Sequence, residues 1–230
     1  MRIKTAVRKN AVVRKTSNRK FGVPGRPLLL VGTGCEKKSC SRRDKRETEA
    51  VLTALRLSAR AMFPFYRRIA ADGAFAQRWS DSVVGLSLDD MKRQLGEASP
   101  LAGRLEQGLG TNGIGYFVDY PAPGTADAYA TGITIPPGTV QFYFPPAAHR
   151  IVAAALLPFC RALATDREYA AALVAAMEAG DAKEADSLVR SRIRANALNA
   201  VDASPGYLAL DFKPAGSKYV YRNLFFREGV

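Results

Sequence analysis

Apolar residues in the first half of the chain repeat at the spacing of an α-helix. Val51, Leu55 and Met62 lie on one side of such a helix, because residues three, four or seven positions apart share a face. Asp44 is a residue type that accepts hydrogen bonds from the first free amides of a helix. We therefore predict a helix that begins near Asp44 and that kinks or restarts at Pro64, whose ring clashes with the preceding turn.

Three shorter helices are predicted to follow. Gly73 is of the residue type that most often ends a helix, because glycine adopts a left-handed backbone without strain. The pattern after it indicates a helix at Ala74–Trp79, a second that opens at Ser87, and a third in which Ser99 precedes a proline at the first helical position. The first part of the folded region is therefore expected to be all helical.

The apolar period falls from about 3.6 residues to about 2 after Gly110. β-Branched and aromatic residues then fill Ile114–Tyr120, Tyr129–Ile135 and Thr139–Phe144, and turns rich in proline and glycine separate these segments. This pattern favours a meander of three antiparallel strands.

Helical periodicity returns after the meander. We predict a helix at Ala148–Ala164 and two helices that begin at the capping patterns Thr165–Glu168 and Asp181–Glu184, the second of which reaches Asn199. Tyr207–Phe212 and Lys218–Phe226 indicate a closing hairpin. The predicted fold class is α+β: one core domain of residues 47–230, with a helical first half and then an antiparallel sheet of about five strands that three helices interrupt.

The charge of the chain is concentrated at its N-terminus. The 230 residues include 34 Lys and Arg against 21 Asp and Glu, a formal net charge of +13. Residues 1–47 hold 15 of these basic residues and 3 of the acidic ones, net +12, which leaves 19 and 18, net +1, for the remainder. Like charges at this density repel one another, so residues 1–46 are predicted to be a basic, extended and flexible arm.

Paired cations in this arm are the candidate binding residues. They neutralise phosphates and release counterions, which favours nucleic acid or another polyanion without sequence readout. A neighbouring subunit, an anionic membrane surface and a cleaved organellar leader are the alternative roles of the arm. The candidate polyanion-binding residues are Arg8, Lys9, Arg14, Lys15, Arg19, Lys20, Lys37, Lys38, Arg42 and Arg43.

Cysteine content and hydropathy limit which metal sites, compartments and membrane segments are expected. Cys35, Cys40 and Cys160 are too few for a disulfide framework, and His149 is the single histidine, so free thiols, no metal and no cofactor are expected. A reducing, cytoplasmic compartment is predicted, with an organelle as the alternative if a leader is cleaved. No transmembrane segment is predicted, because Ile151–Leu157 is far shorter than the roughly 20 apolar residues that a spanning helix needs.

Candidate catalytic residues are few and scattered. Asp119, Asp127, Tyr129 and His149 fall around the predicted sheet, and no nucleophile motif accompanies the histidine. We predict that most aromatic residues of the strands belong to the core, and that Tyr219 and Tyr221 and the Phe225–Phe226 pair can also meet another subunit.

Two hypotheses follow from these patterns. The first is a non-enzymatic, self-assembling structural protein, expected to form homo-oligomers, whose basic arm binds nucleic acid, another polyanion or a neighbouring subunit. The alternative is a small enzyme or effector with a dispersed active site around the sheet. A cleft that brings the scattered candidate residues together favours the enzyme, whereas an apolar patch favours assembly.

Overall fold

A computed structural model describes residues 36–124 and 127–228, with side chains from residue 45 onward. The described chain forms seven helices and six strands. They are α1 (Glu36–Ala71), α2 (Gly73–Val84), α3 (Leu88–Ala98), α4 (Pro100–Leu105), β1 (Gly108–Thr111), β2 (Gly115–Pro121), β3 (Ala128–Thr134), α5 (Pro146–Thr165), α6 (Arg167–Ala179), α7 (Ala182–Arg192), β4 (Leu198–Ser204), β5 (Tyr207–Phe212) and β6 (Tyr221–Arg227).

The strands make one antiparallel sheet in the order β1-β2-β3-β6-β5-β4. The closing hairpin extends the meander, because β6 pairs with β3 on one side and β5 on the other; Phe225 lies opposite both Thr131 and Leu208. Helices α5, α6 and α7 fall between β3 and β4. The predicted α+β class, with helices first and then an antiparallel sheet that three helices interrupt, is confirmed.

Helices cover one face of this sheet. Along β2, Tyr116, Val118 and Tyr120 are fully buried beneath the helices, whereas the alternate residues Phe117 and Asp119 are only partly buried on the other face. The sheet therefore has a helix-covered face, which holds the core, and an open face.

An antiparallel pair of long helices, α1 and α5, forms the main part of the helical layer. Arg56 of α1 donates to the carbonyls of Leu163 and Ala164 near the end of α5. At the other end of the pair, Arg150 of α5 donates to the carbonyl of Ala70. These bonds satisfy carbonyl groups that the last turns of both helices leave free.

The predicted caps agree with the structure at two helix starts. The side chains of Ser99 and Asp181 each accept a hydrogen bond from the backbone amide three residues later. Helix α6 is capped one residue later than the predicted Thr165, by Asp166, which accepts from the amide of Tyr169. Gly180 ends α6 in the left-handed conformation with φ 67°. At the first helix the boundaries differ from the prediction: α1 begins at Glu36 and runs through Pro64 without interruption.

Gly73 also has a different role from the predicted one. It opens α2 instead of ending the preceding helix, and α1 stops at Ala71. Asp72 between them caps α2 by accepting from the amide of Phe75.

The prediction of a strand at Thr139–Phe144 is wrong. This segment forms turns and irregular backbone between Pro136-Pro137 and Pro145-Pro146, and prolines lack the amide that a strand ladder needs. The amide of Tyr143 donates to the carbonyl of Gly113, and Phe144 is buried in the core. The third strand of the meander is instead β1, a glycine-rich edge strand that pairs with β2.

The prediction that the last helix reaches Asn199 is also wrong. Helix α7 ends at Arg192, so Arg194 lies beyond it, and β4 follows from Leu198. The β4–β5 hairpin turns at Pro205-Gly206, where Gly206 has φ 69°. Proline followed by glycine suits a tight turn that needs one left-handed residue, so this hairpin forms despite the weak strand propensity of β4.

One helix in the described part of the chain, α5, is long and apolar enough to cross a membrane by length and composition. Half of its apolar window is buried inside the protein, where it packs against α1. The core helix of a globular protein has the same character, so α5 is consistent with the predicted absence of a transmembrane segment.

We expect Gly132→Ala to destabilise the protein by about 3 kcal/mol, because the new Cβ would clash with the backbone carbonyl of Tyr116 on the neighbouring strand. Gly110→Ala is the matched control: this position is also in the sheet, but no atom lies within 4 Å of the added Cβ. Urea unfolding of both variants measures the difference. Equal stability of the two variants would contradict the pairing of β2 with β3 in this register.

Candidate functional site

The structure describes only part of the predicted polyanion-binding set. Arg8, Lys9, Arg14, Lys15, Arg19 and Lys20 lie outside the described residues. The positions of Lys37, Lys38, Arg42 and Arg43 fall in the first turns of α1, where the backbone alone is described. Lys45 and Arg46, the next two basic residues along the helix, are exposed.

His149, the single histidine, is buried in an aromatic cluster at the start of α5. Its Nε2 lies 3.0 Å from the hydroxyl oxygen of Tyr116, and the rings of Phe144 and Phe65 are 4.9 Å and 6.3 Å away between centroids. The side chain has 0% exposure, and burial lowers the pKa of His149 to about 3. A histidine that is neutral and shielded from solvent at physiological pH is a structural residue in this environment.

The two candidate aspartates lie elsewhere. Asp119 is on the open face of the sheet, opposite to the face that His149 packs against. Burial, followed by repulsion from Glu228 and Glu106, raises the pKa of Asp119 to about 6. Asp127 accepts a hydrogen bond from Arg227 at 2.7 Å.

Tyr129, the fourth candidate, belongs to the helix-covered face. Its ring stacks on Phe225 with 5.0 Å between centroids and 13° between planes, which makes it a packing residue. The structure therefore does not bring Asp119 and His149 together, and the scattered candidates form no shared cleft in the part of the chain that is described.

The metal-ligand chemistry of the described residues is equally sparse. No group of three or more His, Cys, Asp or Glu side chains that could hold a metal is present among them. Cys160 is a buried free thiol, and burial raises its pKa to about 12. The side chains of Cys35 and Cys40 fall outside the described part, so their predicted free state stays a prediction.

An arginine-lined cleft of about 710 Å³ lies between α5 and the connection from α7 to β4. Arg161 lies over the ring of Phe63, with its guanidinium carbon 5.4 Å from the centroid. Arg192 lies over Tyr169 at 4.7 Å and is 3.5 Å from Asp166, and Arg194 is exposed at the rim. Three arginines and one aspartate line the cleft, so it is a basic concave surface of the described core.

The three arginines near the end of α7, Arg190, Arg192 and Arg194, make different contacts. Arg190 pairs with Asp186 at 2.9 Å through its Nε and reaches the carbonyls of Leu198 and Asn199. It therefore ties α7 to β4, and only Arg192 and Arg194 turn to the cleft.

An apolar groove of about 510 Å³ lies on the open face of the sheet. Phe117, Leu224 and Phe226 contribute its apolar lining, and the rings of the two phenylalanines meet edge to face at 6.0 Å. Tyr207, Arg222 and Arg227 also line it. The sequence indicated Phe225 and Phe226 together as contacts for another subunit; the structure separates them, with Phe225 in the core and Phe226 in the groove.

Comparison of this chain with family models, with curated proteins and with solved structures finds no match. Its function is therefore inferred from the charge, burial and geometry of its own residues.

The environment of His149 gives a pH prediction. The native state keeps this imidazole neutral down to about pH 3, whereas the unfolded chain protonates it below a pKa of about 6.5. The stabilising contribution is therefore present above about pH 6.5 and is lost progressively as the pH falls toward 3. Between pH 7 and pH 5 we expect wild type to lose about 2 kcal/mol of unfolding free energy relative to His149→Phe.

Chemical denaturation of the two proteins at both pH values gives this difference. Because the carboxylates are common to both proteins, their titration cancels in the comparison. A difference that does not change with pH would show that the native state does not lower the pKa of His149.

Proposed function

We propose that this protein is a non-enzymatic, self-assembling protein whose basic N-terminal arm binds nucleic acid or another polyanion. The observation that carries the proposal is the division of charge, with net +12 in residues 1–47 and net +1 in the remainder. A nearly neutral core does not attract a polyanion over long range, whereas a dense cationic segment does.

The composition of the arm supports binding without sequence recognition. Residues 1–35 hold nine Lys and Arg and no Asp or Glu, and Phe21 is their single aromatic residue. Phosphate neutralisation with counterion release is the interaction available to such a segment, since stacking on bases needs several aromatic side chains. Binding of this kind is strongly weakened by salt.

The geometry of the core favours this function over the enzymatic alternative. Asp119 and His149 lie on opposite sides of the sheet, and Asp127 pairs with Arg227. General acid–base catalysis needs two such groups within reach of one substrate. An apolar groove on the open sheet face, by contrast, is a feature that suits contact with another protein surface.

The remaining parts of the proposal concern location. A buried free thiol at Cys160 is compatible with a reducing, cytoplasmic compartment. An anionic membrane surface and a cleaved organellar leader are alternative roles of the arm, and they are separated by binding to vesicles of anionic phospholipid and by N-terminal sequencing of the protein from cells.

To test the proposal, four arm cations are changed to glutamine and the affinity for a single-stranded RNA oligonucleotide is measured by fluorescence anisotropy over a series of salt concentrations. We expect the slope of log affinity against log salt to shrink by about 3, since each phosphate contact contributes about 0.7. The four residues are Arg8, Lys9, Arg14 and Lys15.

The matched control removes the same charge from exposed positions of the core. It changes Arg60, Arg67, Arg104 and Lys183 to glutamine, and its salt slope should stay at the wild-type value. An equal loss in both variants would mean that total charge, and not the arm, determines binding, and an unchanged slope in the arm variant would contradict the proposal.

A further inference from the structure

The arginine-lined cleft between α5 and the connection from α7 to β4 holds more positive than negative charge. Arg161, Arg192 and Arg194 line it, and Asp166 is the acidic residue of the lining. Asp166 lies within ion-pair distance of Arg192, at 3.5 Å. Among the side chains that the structure describes, no carboxylate lies that close to Arg161 or Arg194. The lining therefore has a surplus of two positive charges.

Aromatic rings hold two of these arginines in place. The guanidinium carbon of Arg161 lies 5.4 Å from the ring centroid of Phe63, and that of Arg192 lies 4.7 Å from the ring centroid of Tyr169. The ring of Tyr169 is itself fixed, because it is buried and its hydroxyl donates to the carbonyl of Leu188. A guanidinium group over a ring can still donate through its N–H groups. Both arginines can therefore bind an anion with little loss of side-chain freedom.

The donors of the cleft come from two walls. Arg161 belongs to α5, whereas Arg192 ends α7 and Arg194 follows it in the connection to β4. A carboxylate carries one negative charge and accepts through two oxygens in one plane. A phosphate monoester has three acceptor oxygens that point in different directions and a charge of about −1.5 to −2 at pH 7. Donors on two walls and a surplus of two charges therefore match a phosphate monoester better than a carboxylate.

Much of the remaining lining is apolar. Ala154, Leu157 and Pro158 of α5 contribute to one wall, and Ala195 contributes to the other. The volume of about 710 Å³ lies within the range of small-molecule sites, about 300–1,000 Å³. The cleft therefore has room for an organic group beside the phosphate, and contact with that group would remove apolar surface from water.

Nucleic acid fits this cleft less well. Each phosphodiester of its backbone carries one negative charge, and sugars flank it on both sides, so it cannot bring two charges to one point. A terminal phosphate on a small molecule can do so.

We propose that the arginine-lined cleft binds a small organic phosphate monoester. Arg161, Arg192 and Arg194 hold the phosphate group, and the organic group lies against the apolar lining. This site is separate from the arm, so the inference does not rest on the proposed function.

To test the inference, phenyl phosphate is titrated against the full chain by saturation-transfer NMR, in about 0.15 M salt so that long-range attraction to the arm is screened. We expect phenyl phosphate to bind about tenfold more tightly than inorganic phosphate, because its ring covers apolar lining, and more tightly than benzoate, which carries one charge. No binding of phenyl phosphate, or equal binding of either comparison compound, would overturn the proposal.

The informative variant combines Arg161→Gln and Arg194→Gln. Its dissociation constant for phenyl phosphate should rise at least about tenfold, since hydrogen bonds to charged groups contribute strongly. The control combines Arg104→Gln and Lys183→Gln, which remove the same charge from exposed positions outside the cleft and should bind as wild type does. Thermal unfolding checks that both variants fold, and an equal loss of binding in both would contradict the site.

Asp166→Asn should have the opposite effect. Asparagine caps a helix about as well as aspartate, so α6 keeps its first turn, while the carboxylate that competes for Arg192 is removed. We expect this variant to bind phenyl phosphate about threefold or more tightly than wild type. Unchanged or weaker binding would contradict the role of Arg192 in holding the phosphate.

The arm and the cleft are distinguished by crossing the two sets of variants. The variant with Arg8, Lys9, Arg14 and Lys15 changed to glutamine should bind phenyl phosphate as wild type does, and the cleft variant should keep the wild-type salt slope for the RNA oligonucleotide. Loss of phenyl phosphate binding in the arm variant would overturn the cleft as its site. Phenyl phosphate binding by a chain that does not bind the oligonucleotide would support the cleft and contradict the proposed role of the arm.

Discussion

Because side chains alternate along a strand, a sheet that helices cover on one face alone sorts its residues into two sets. In this protein the alternation sends Tyr116 into the aromatic core beside His149 and Phe117 to the open face. The pairing of β6 with both β3 and β5 extends the same division across all six strands. The burial of His149, the position of Asp119 on the open face and the existence of an apolar groove all depend on this one-sided covering.

The separation of charge has a related consequence. Helices and sheet together form a core whose acidic and basic residues nearly balance, and many of these residues pair on the surface, as Arg93 does with Asp90 and Glu97. Exposed pairs of this kind contribute little to stability, but they leave little net field around the core. In the proposed function, the cationic residues that precede Glu47 therefore provide the main attraction for a polyanion.

The sequence predicts those parts of the fold that depend on local signals. The caps at Ser99 and Asp181 and the bounds of β5 match the structure because a few adjacent residues determine them. The sequence does not predict strands β1 and β4, because they are rich in glycine, alanine, asparagine and aspartate, which have low strand propensity. Pairing with a neighbouring strand overrides that low propensity here. The aromatic residues of Thr139–Phe144 led to the prediction of a strand that does not form. The prolines on both sides of this segment lack the amide that hydrogen bonding between strands needs.

The functional features divide in the same way. The basic arm is evident from the amino-acid composition of residues 1–47, so its candidate role can be predicted from the sequence without the structure. The groove could not be predicted from the sequence, because Phe117, Leu224 and Phe226 meet only through strand register. The positive φ of Leu86 and Phe142 could not be predicted either, because neither residue type favours it. The Pro205-Gly206 turn is the one missed signal that was available, since this dipeptide favours a hairpin.

The central claim is that polyanion binding belongs to the N-terminal segment and not to the core. Amide hydrogen exchange on the full chain, with and without a saturating single-stranded RNA oligonucleotide, tests it most directly, because the measurement reports protection segment by segment. New protection should be confined to peptides that precede Glu47. Protection that appears instead in the strands of the open face or around Arg161 and Arg192, with none in the N-terminal peptides, would contradict the claim.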